Sequence, residues 1–598
     1  MLNRNTLVLV VGIAVVLAAP AFAETLEGNY NDMLHYLKIG RFDLAKGYAQ
    51  AVLDSNSAPV DLFALAEGNP QGYALIIKAK ESSTDKELAG LCGKVVDVIE
   101  QGRFIRRADP KVIVDEIARL SGTARGRLNA IKRLQNAGEY AIMYMLDALG
   151  DDARKAEWPD ISSAMGQMSK EAIRPLVAAL QTSNVGVKSE IIRALGKIGY
   201  PQSLPYLKYI AEKDSSAELR DLAQASIKKI EPAALKVPAA QLCYQLGEDY
   251  YYHAESLAPA ADANFANMWF WDANNARLGS ERVDKRYFNE LMSMRCCEWS
   301  LRADDKFGQA IGLWLAAFFK AESYDVEMPA YFGTGHADAM TYATTAGPEY
   351  LHHALARAMK DKDAKVALGA IEALFATAGE SSLFYRVGTS QPLAEALSFN
   401  SKAVKFSAAI AIAAAGPKQA FPESKLVVAN LAEALAQNSE QAADDNVPMW
   451  NGELADLYAV RAAKAMFKLA QTRNPVLDLS AAQDALVTAA KDKRTEIQML
   501  AGQVLAYLNT SAAQEAIAAM AMAEGNSKDV RMAAFGSLAV SAKLNANKLA
   551  DATIDAIYAL VSSKDSDPGL RAAAAAAYGA LNLPSQKVKT LILDQASS

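Results

Sequence analysis

His336, Asp338, His352 and His353 fall within one short stretch and bring the side chains best suited to hold a metal or pass a proton. A zinc site would need three or four such ligands converging at about 2 Å. A His-x-Asp pair followed at a distance by His-His is no established signature of one. The competing reading makes Asp338 a helix N-cap and His336 a loop hydrogen-bonder. Cys92, Cys243 and the adjacent Cys296 and Cys297 are the only thiols. Neighbouring cysteines cannot easily bridge each other, because a disulfide demands a particular Cα and Cβ spacing. Two readings stay open: small side chains buried on a helix, or a link from Cys243 to Cys296 or Cys297. A third group, Trp269, Trp271, Arg277 and Arg282, has contact chemistry and no reactive chemistry. Tryptophan and arginine are the residue types that anchor protein interfaces.

Most of these residues lie in one segment, 236–347, which holds four of the six tryptophans and three of the four cysteines. Apolar periodicity predicts helices over 239–256 and 288–323. Between them, Met268-Trp269-Phe270-Trp271-Asp272, a turn over 274–279 and a second run from Arg282 to Phe288 predict a short β-hairpin, which either projects as a contact site or lays its rings as a cap on the core between two repeat blocks. Trp269 and Trp271 share one of its faces. Residues 331–347 form a Gly-marked loop leading into the His352-bearing helix.

The flanking sequence is repetitive. A pattern of an apolar residue, a residue four on that is alanine in six of seven copies, and an apolar residue eight on recurs at Val187/Ile191/Leu195, Leu219/Ala223/Ile227, Val366/Ala370/Leu374 and Val404/Ala408/Ile412. It continues at Ile497/Ala501/Leu505, Val530/Ala534/Leu538 and Leu570/Ala574/Tyr578. In most copies a basic residue follows the first position. Positions 0, +4 and +8 make one helical stripe, and alanine in its middle lets another helix approach closely. A polar turn such as Gln181-Thr182-Ser183-Asn184 precedes each of these helices, and an apolar helix precedes the turn. The pattern-bearing second helix of each hairpin is therefore read as the inner one. Gly199 and Gly416 fall where helix C-caps belong.

The run Pro-Leu-Val-x-Ala-Leu, then Val-Lys, then Ala194-Leu195-Gly196-x-Ile198-Gly199 resembles the HEAT-like repeat of the phycobilisome-lyase type. The resemblance covers 124–231 and 348–582. It implies an α-solenoid whose inner-helix surface binds other macromolecules or large ligands. Some proteins with such repeats act on bilin chromophores, but the likeness here is to the repeat and not to a site. Residues 29–54, with Gly40, Phe42, Ala45 and Ala49 in order, resemble a tetratricopeptide helical hairpin, as do the two helices of the central segment. That family is also a peptide-binding scaffold.

Composition sets the class. An apolar fraction of 51% places the chain among folded proteins. Its formal charge of -6 is spread without single-sign blocks, which argues against a nucleic-acid partner. At the N-terminus, Arg4, the apolar run from Leu7 to Ala19 and Ala21-Phe22-Ala23 read as a secretory signal peptide followed by Glu24. The apolar run is too short to span a membrane. No lipid-anchor cysteine stands near the cleavage site.

The expectation is an exported, periplasmic or secreted, all-α protein: an α-solenoid of HEAT-like repeats with a short β-hairpin insertion. Its parts are a signal peptide (1–23), an N-terminal helical region (24–120), a first repeat block (121–235), the aromatic insert (236–347), a second block (348–440), a linker (441–456) and a final block (457–598). It is read as a scaffold for other proteins or peptides, without a cofactor and not an enzyme. The alternative is a metal- or small-ligand-binding exported protein using the cluster in 331–353.

Overall fold

The computed structural model describes residues 25–259, 264–324, 327–329, 335–442, 449–583 and 586–596. The expected signal peptide, residues 443–448 of the expected 441–456 linker and residues 331–334 of the expected Gly-marked loop lie outside them. The architecture is an all-α solenoid carrying one two-stranded antiparallel sheet, β1 (Phe265–Asp272) and β2 (Arg277–Asp284). No helix among the described residues is long and apolar enough to cross a membrane.

Each repeat helix forms for reasons local to its sequence. In five of the seven the preceding polar turn supplies a side-chain N-cap: Asn184, Ser216, Asp363, Ser527 and Asp567 accept from the backbone N–H of Val187, Leu219, Val366, Val530 and Leu570. Each such cap contributes about 1 kcal/mol. Gly199 and Gly416 close their helices in the left-handed region, at φ +79° and +64°. Every stripe residue named above is buried. Large apolar side chains gain about 1.5–3 kcal/mol each from that burial.

The small positions let consecutive second helices touch. A Cβ on Gly196 of the Val185–Ile198 helix would meet Ser226 Oγ at 2.5 Å. That serine in turn donates to the Ile192 carbonyl at 3.2 Å. The recurring basic residue also finds its reason: Arg220 and Arg571 donate to carbonyls of the turn before their own helix, and Arg531 to the Ala521 carbonyl at the end of the preceding helix. Lys188 and Lys405 reach forward to Asp214 and Glu433 of the next unit, at 3.0 and 2.7 Å.

One continuous core runs from Ile113 to Leu581. The N-terminal helices, from Leu26–Lys38 to Lys86–Arg107, enclose a separate one. Within that bundle the Leu26–Lys38 and Phe42–Asp54 helices turn at Gly40, with Tyr36 stacked on Tyr48 at 5.4 Å.

Two expectations change in detail. The helix expected over 288–323 is two, Phe288–Ala303 and Gln309–Glu322. Asp304 caps the break by accepting from Lys306 N–H at 3.0 Å. The hairpin turn is also tighter than its glycine suggested. Asp272 Oδ1 accepts from Asn274 and Asn275 N–H, which pairs Asp272 with Arg277 and draws 277–279 into β2. Trp450, at the end of the expected linker, is buried against Phe406 and Tyr458 just before the Gly452–Thr472 helix.

Candidate functional site

The hairpin does not project. It lies on the first helices of the opening repeats, Glu139–Gly150 and Ile173–Ala179, and Trp269 bonds Glu139 across 130 residues of chain. Glu139 anchors it: one carboxylate oxygen accepts from Asn267 Nδ2 at 2.7 Å, the other from Trp269 Nε1 at 2.8 Å. Phe265 meets Phe104 edge-on at 5.3 Å, so the hairpin also touches the end of the N-terminal bundle. From the other side Arg295 of the Phe288–Ala303 helix donates to the Trp269 carbonyl.

This packing separates the four contact residues expected from the sequence. Trp269 is 3% exposed and offers a partner no surface. Trp271 is half-buried and keeps an accessible edge. Arg277 pins the hairpin tip to Asp147 at 3.4 Å, and Arg282 is exposed, stacked over Phe265 at 4.6 Å.

Between the hairpin, the Ile173–Ala179 helix and the Phe288–Ala303 helix sits a recess of about 230 Å³. Phe270, 42% exposed, stands at it with Trp271, and Trp299 lies deeper against Tyr206 and Tyr209. Three guanidiniums line it, Arg174, Arg295 and Arg302, against one carboxylate, Glu298. Arg174 stacks over Phe288 at 5.1 Å and Arg302 over Trp299 at 5.3 Å, so their planes are held by rings. Phe270, Trp299, Arg174, Arg295 and Arg302 were not singled out in the sequence. The available signal was the density of aromatic and arginine residues in 265–302, which marks the segment without saying which side chains stay accessible.

The histidine cluster does not assemble. Asp338 caps the Ala339–Ala346 helix by accepting from Thr341 N–H at 2.8 Å. His336 is exposed. His352 is fully buried, its Nε2–H donating to the Ser382 carbonyl at 3.0 Å. His352 and His353 both pack near Tyr385, with ring centroids 5.9 and 6.1 Å from its ring. Among the described residues no three His, Cys, Asp or Glu side chains group as metal ligands. The N-cap reading of Asp338 therefore holds, and the alternative metal set of His336, Asp338, His352 and His353 is not grouped among the described residues: Asp338 is spent on its cap and His352 on the Ser382 carbonyl.

Burial pushes the His352 imidazole down to about 4. A histidine held neutral in the fold is protonated first in the unfolded chain. Its stabilising contribution is complete above about pH 6.5 and is lost as the pH falls from there towards about 4, at about 1.4 kcal/mol per pH unit. Urea unfolding at pH 7 and pH 4.5 should show the wild-type chain losing about 2–3 kcal/mol more than His352→Gln. Equal acid sensitivity would place the proton uptake elsewhere.

The cysteines are free and buried. Cys243 and Cys296 lie in the seam between the Ala239–Tyr251 and Phe288–Ala303 helices, where Ser293 and Ser300 donate to the Gly247 and Ala240 carbonyls. A Cβ on Gly247 would come within 3.3 Å of the Cys296 Cβ. Small side chains are what that approach requires, which settles the vicinal pair as packing residues.

Residues 161–228 match the family model for HEAT repeats. Among solved structures the chain is similar to an engineered protein, at 15% identity over 88% of this chain and 99% of that one, with a TM-score of 0.27. It is similar to importin beta at 13% identity over 96% and 76%, TM-score 0.25, and to SYS-1 in its complex with POP-1 at 10% identity over 93% and 99%, TM-score 0.27. No curated protein matches the chain.

Proposed function

We propose that this chain, whose residues 161–228 match the HEAT-repeat model, is an exported HEAT-repeat scaffold, not an enzyme, that binds another protein at the recess beside the hairpin. The observation carrying this is the recess itself: exposed Phe270 and the edge of Trp271 beside ring-held Arg174 and Arg302. Aromatic and arginine side chains in a partly desolvated depression are the usual energetic centre of a protein interface. A volume of about 230 Å³ suits one inserted side chain of the partner and is small for a cofactor. HEAT solenoids as a class present long surfaces to proteins, which supports the same reading. Export rests on the Met1–Ala23 segment.

The partner should be recovered by the full chain from an envelope extract. Its recovery should fall at least about tenfold with Trp271→Ala and with Arg302→Ala, both checked for unchanged helicity. Recovery that does not depend on either side chain would remove the recess from consideration. The native protein should begin at Glu24 by N-terminal sequencing, and a chain beginning at Met1 would contradict the export reading.

A further inference from the structure

On the N-terminal side, a larger cavity of about 620 Å³ lies where the separate N-terminal core meets the first solenoid helices. It exists because two helices cross very closely. A Cβ on Gly102 would fall 2.0 Å from the Pro59 carbonyl oxygen, so only glycine allows the Lys86–Arg107 helix to pass the Pro59–Gly68 helix there. The last turn of the longer helix then places Arg103, Arg106 and Arg107 along one wall, and Arg133 of the Ala124–Ala137 helix faces them across the cavity. Phe63 and Tyr73 supply aromatic surface, and Val112, Ile113 and Leu134 an apolar floor.

Three carboxylates share the lining, Glu67, Glu100 and Glu116. Glu116 is buried and already taken, accepting from Arg119 at 2.8 Å and Arg133 at 2.6 Å. Glu100 accepts from the Tyr73 hydroxyl and approaches Arg103 at 3.3 Å, and Glu67 approaches Arg106 at 3.4 Å. Four guanidiniums line the cavity beside three carboxylates, and the contacts of Arg103 and Arg106 are looser than the hydrogen bonds around Glu116. Both also lie near aromatic rings: Arg103 over Phe63 and Tyr73 at 5.8 and 5.6 Å, Arg106 over Phe63 at 5.9 Å. A guanidinium presents its donors in a fork that matches a carboxylate.

We infer that this cavity binds a carboxylate carried on an apolar body, with Arg103 and Arg106 on the carboxylate and Phe63, Ile113 and Leu134 around the apolar part. Its volume is that of a drug-sized ligand. The carboxylate belongs either to the free C-terminus of a peptide or to a small organic acid. The site is separate from the hairpin recess and does not depend on the partner proposed there.

The test uses the full chain with two probe sets: a tetrapeptide library with free C-termini beside the same library amidated, and a panel of aryl- and alkyl-carboxylic acids beside their amides. Free acids should bind at least tenfold more tightly than the matching amides. Arg103→Ala should weaken them at least tenfold at unchanged helicity, and Arg103→Lys should not restore them, because an ammonium lacks the fork. Binding by peptides alone, or by organic acids alone, identifies the source of the carboxylate. The inference is overturned if no acid binds, if amides bind equally well, or if the acids bind Arg103→Ala as they bind the wild type. Retention of the Trp271-dependent partner by Arg103→Ala keeps the two sites distinct.

Discussion

Glu139→Ala will release the β-hairpin from the repeats and cost about 3–5 kcal/mol. Glu139 is 6% exposed and begins the Glu139–Gly150 helix, where the helix dipole favours a negative charge. Its two oxygens satisfy Asn267 and Trp269, both 3% exposed, and Arg174 lies 3.7 Å away with little exposure of its own. Alanine strands two buried donors and leaves a guanidinium without its counter-charge. Breaking one side of a buried charged network costs on that order. Because the hairpin is an excursion from the helical rows, the loss should be local. Trypsin should cut at Arg277, Arg282 and Arg286 about a hundredfold faster, since each 1.4 kcal/mol of opening is tenfold. Glu139→Gln, which keeps one acceptor, should fall between. Unchanged cleavage in Glu139→Ala would mean that Phe104 and Phe265 hold the hairpin by ring packing alone.

That anchor also shows where reading the sequence stopped. The repeat stripe was legible because each of its causes is local: a 3.6-residue period, a capping side chain three residues before the first stripe residue, a glycine at the end. Val187, Ile191 and Leu195 declare a buried face by spacing alone. The bond from Trp269 to Glu139 declares nothing, since its partners are 130 residues apart and each sits in an ordinary local context. An alternating aromatic strand reads the same whether it projects or lies flat. The junction cavity was hidden in a similar way. Arg103-Phe104-Ile105-Arg106-Arg107 reads as a basic last helical turn facing its own dipole. Only the crossing at Gly102 turns that helix end into a cavity wall. Around the histidines the local signal was the informative one: Asp338 stands where an N-cap belongs and caps the helix, whereas the Ser382 partner of His352 lies 30 residues away.

The second block is fastened to the insert by Arg357, and Arg357→Met should uncouple them. From the Pro348–Asp361 helix its guanidinium donates to Tyr244 and Tyr252 hydroxyls at 2.8 and 2.9 Å and to Glu248 at 2.7 Å. It also lies over the rings of Tyr251 and Tyr252 at 5.4 and 5.6 Å. The partners precede it by more than 100 residues, so this one side chain closes a long loop. Methionine keeps much of the volume and removes every donor, with an expected cost of about 3–5 kcal/mol. Arg357→Lys should recover little, because a single ammonium cannot span three acceptors or stack as a plane. In a solenoid, stability is the sum of unit and interface contributions, so weakening one interface splits the unfolding. Calorimetry of Arg357→Met should resolve a transition for the C-terminal block apart from the rest, where the wild type unfolds more cooperatively. A double-mutant cycle with Glu248→Gln should return a coupling of about 1–3 kcal/mol. A single unshifted transition in Arg357→Met would show that apolar packing between the Gln309–Glu322 and Pro348–Asp361 helices joins the blocks unaided.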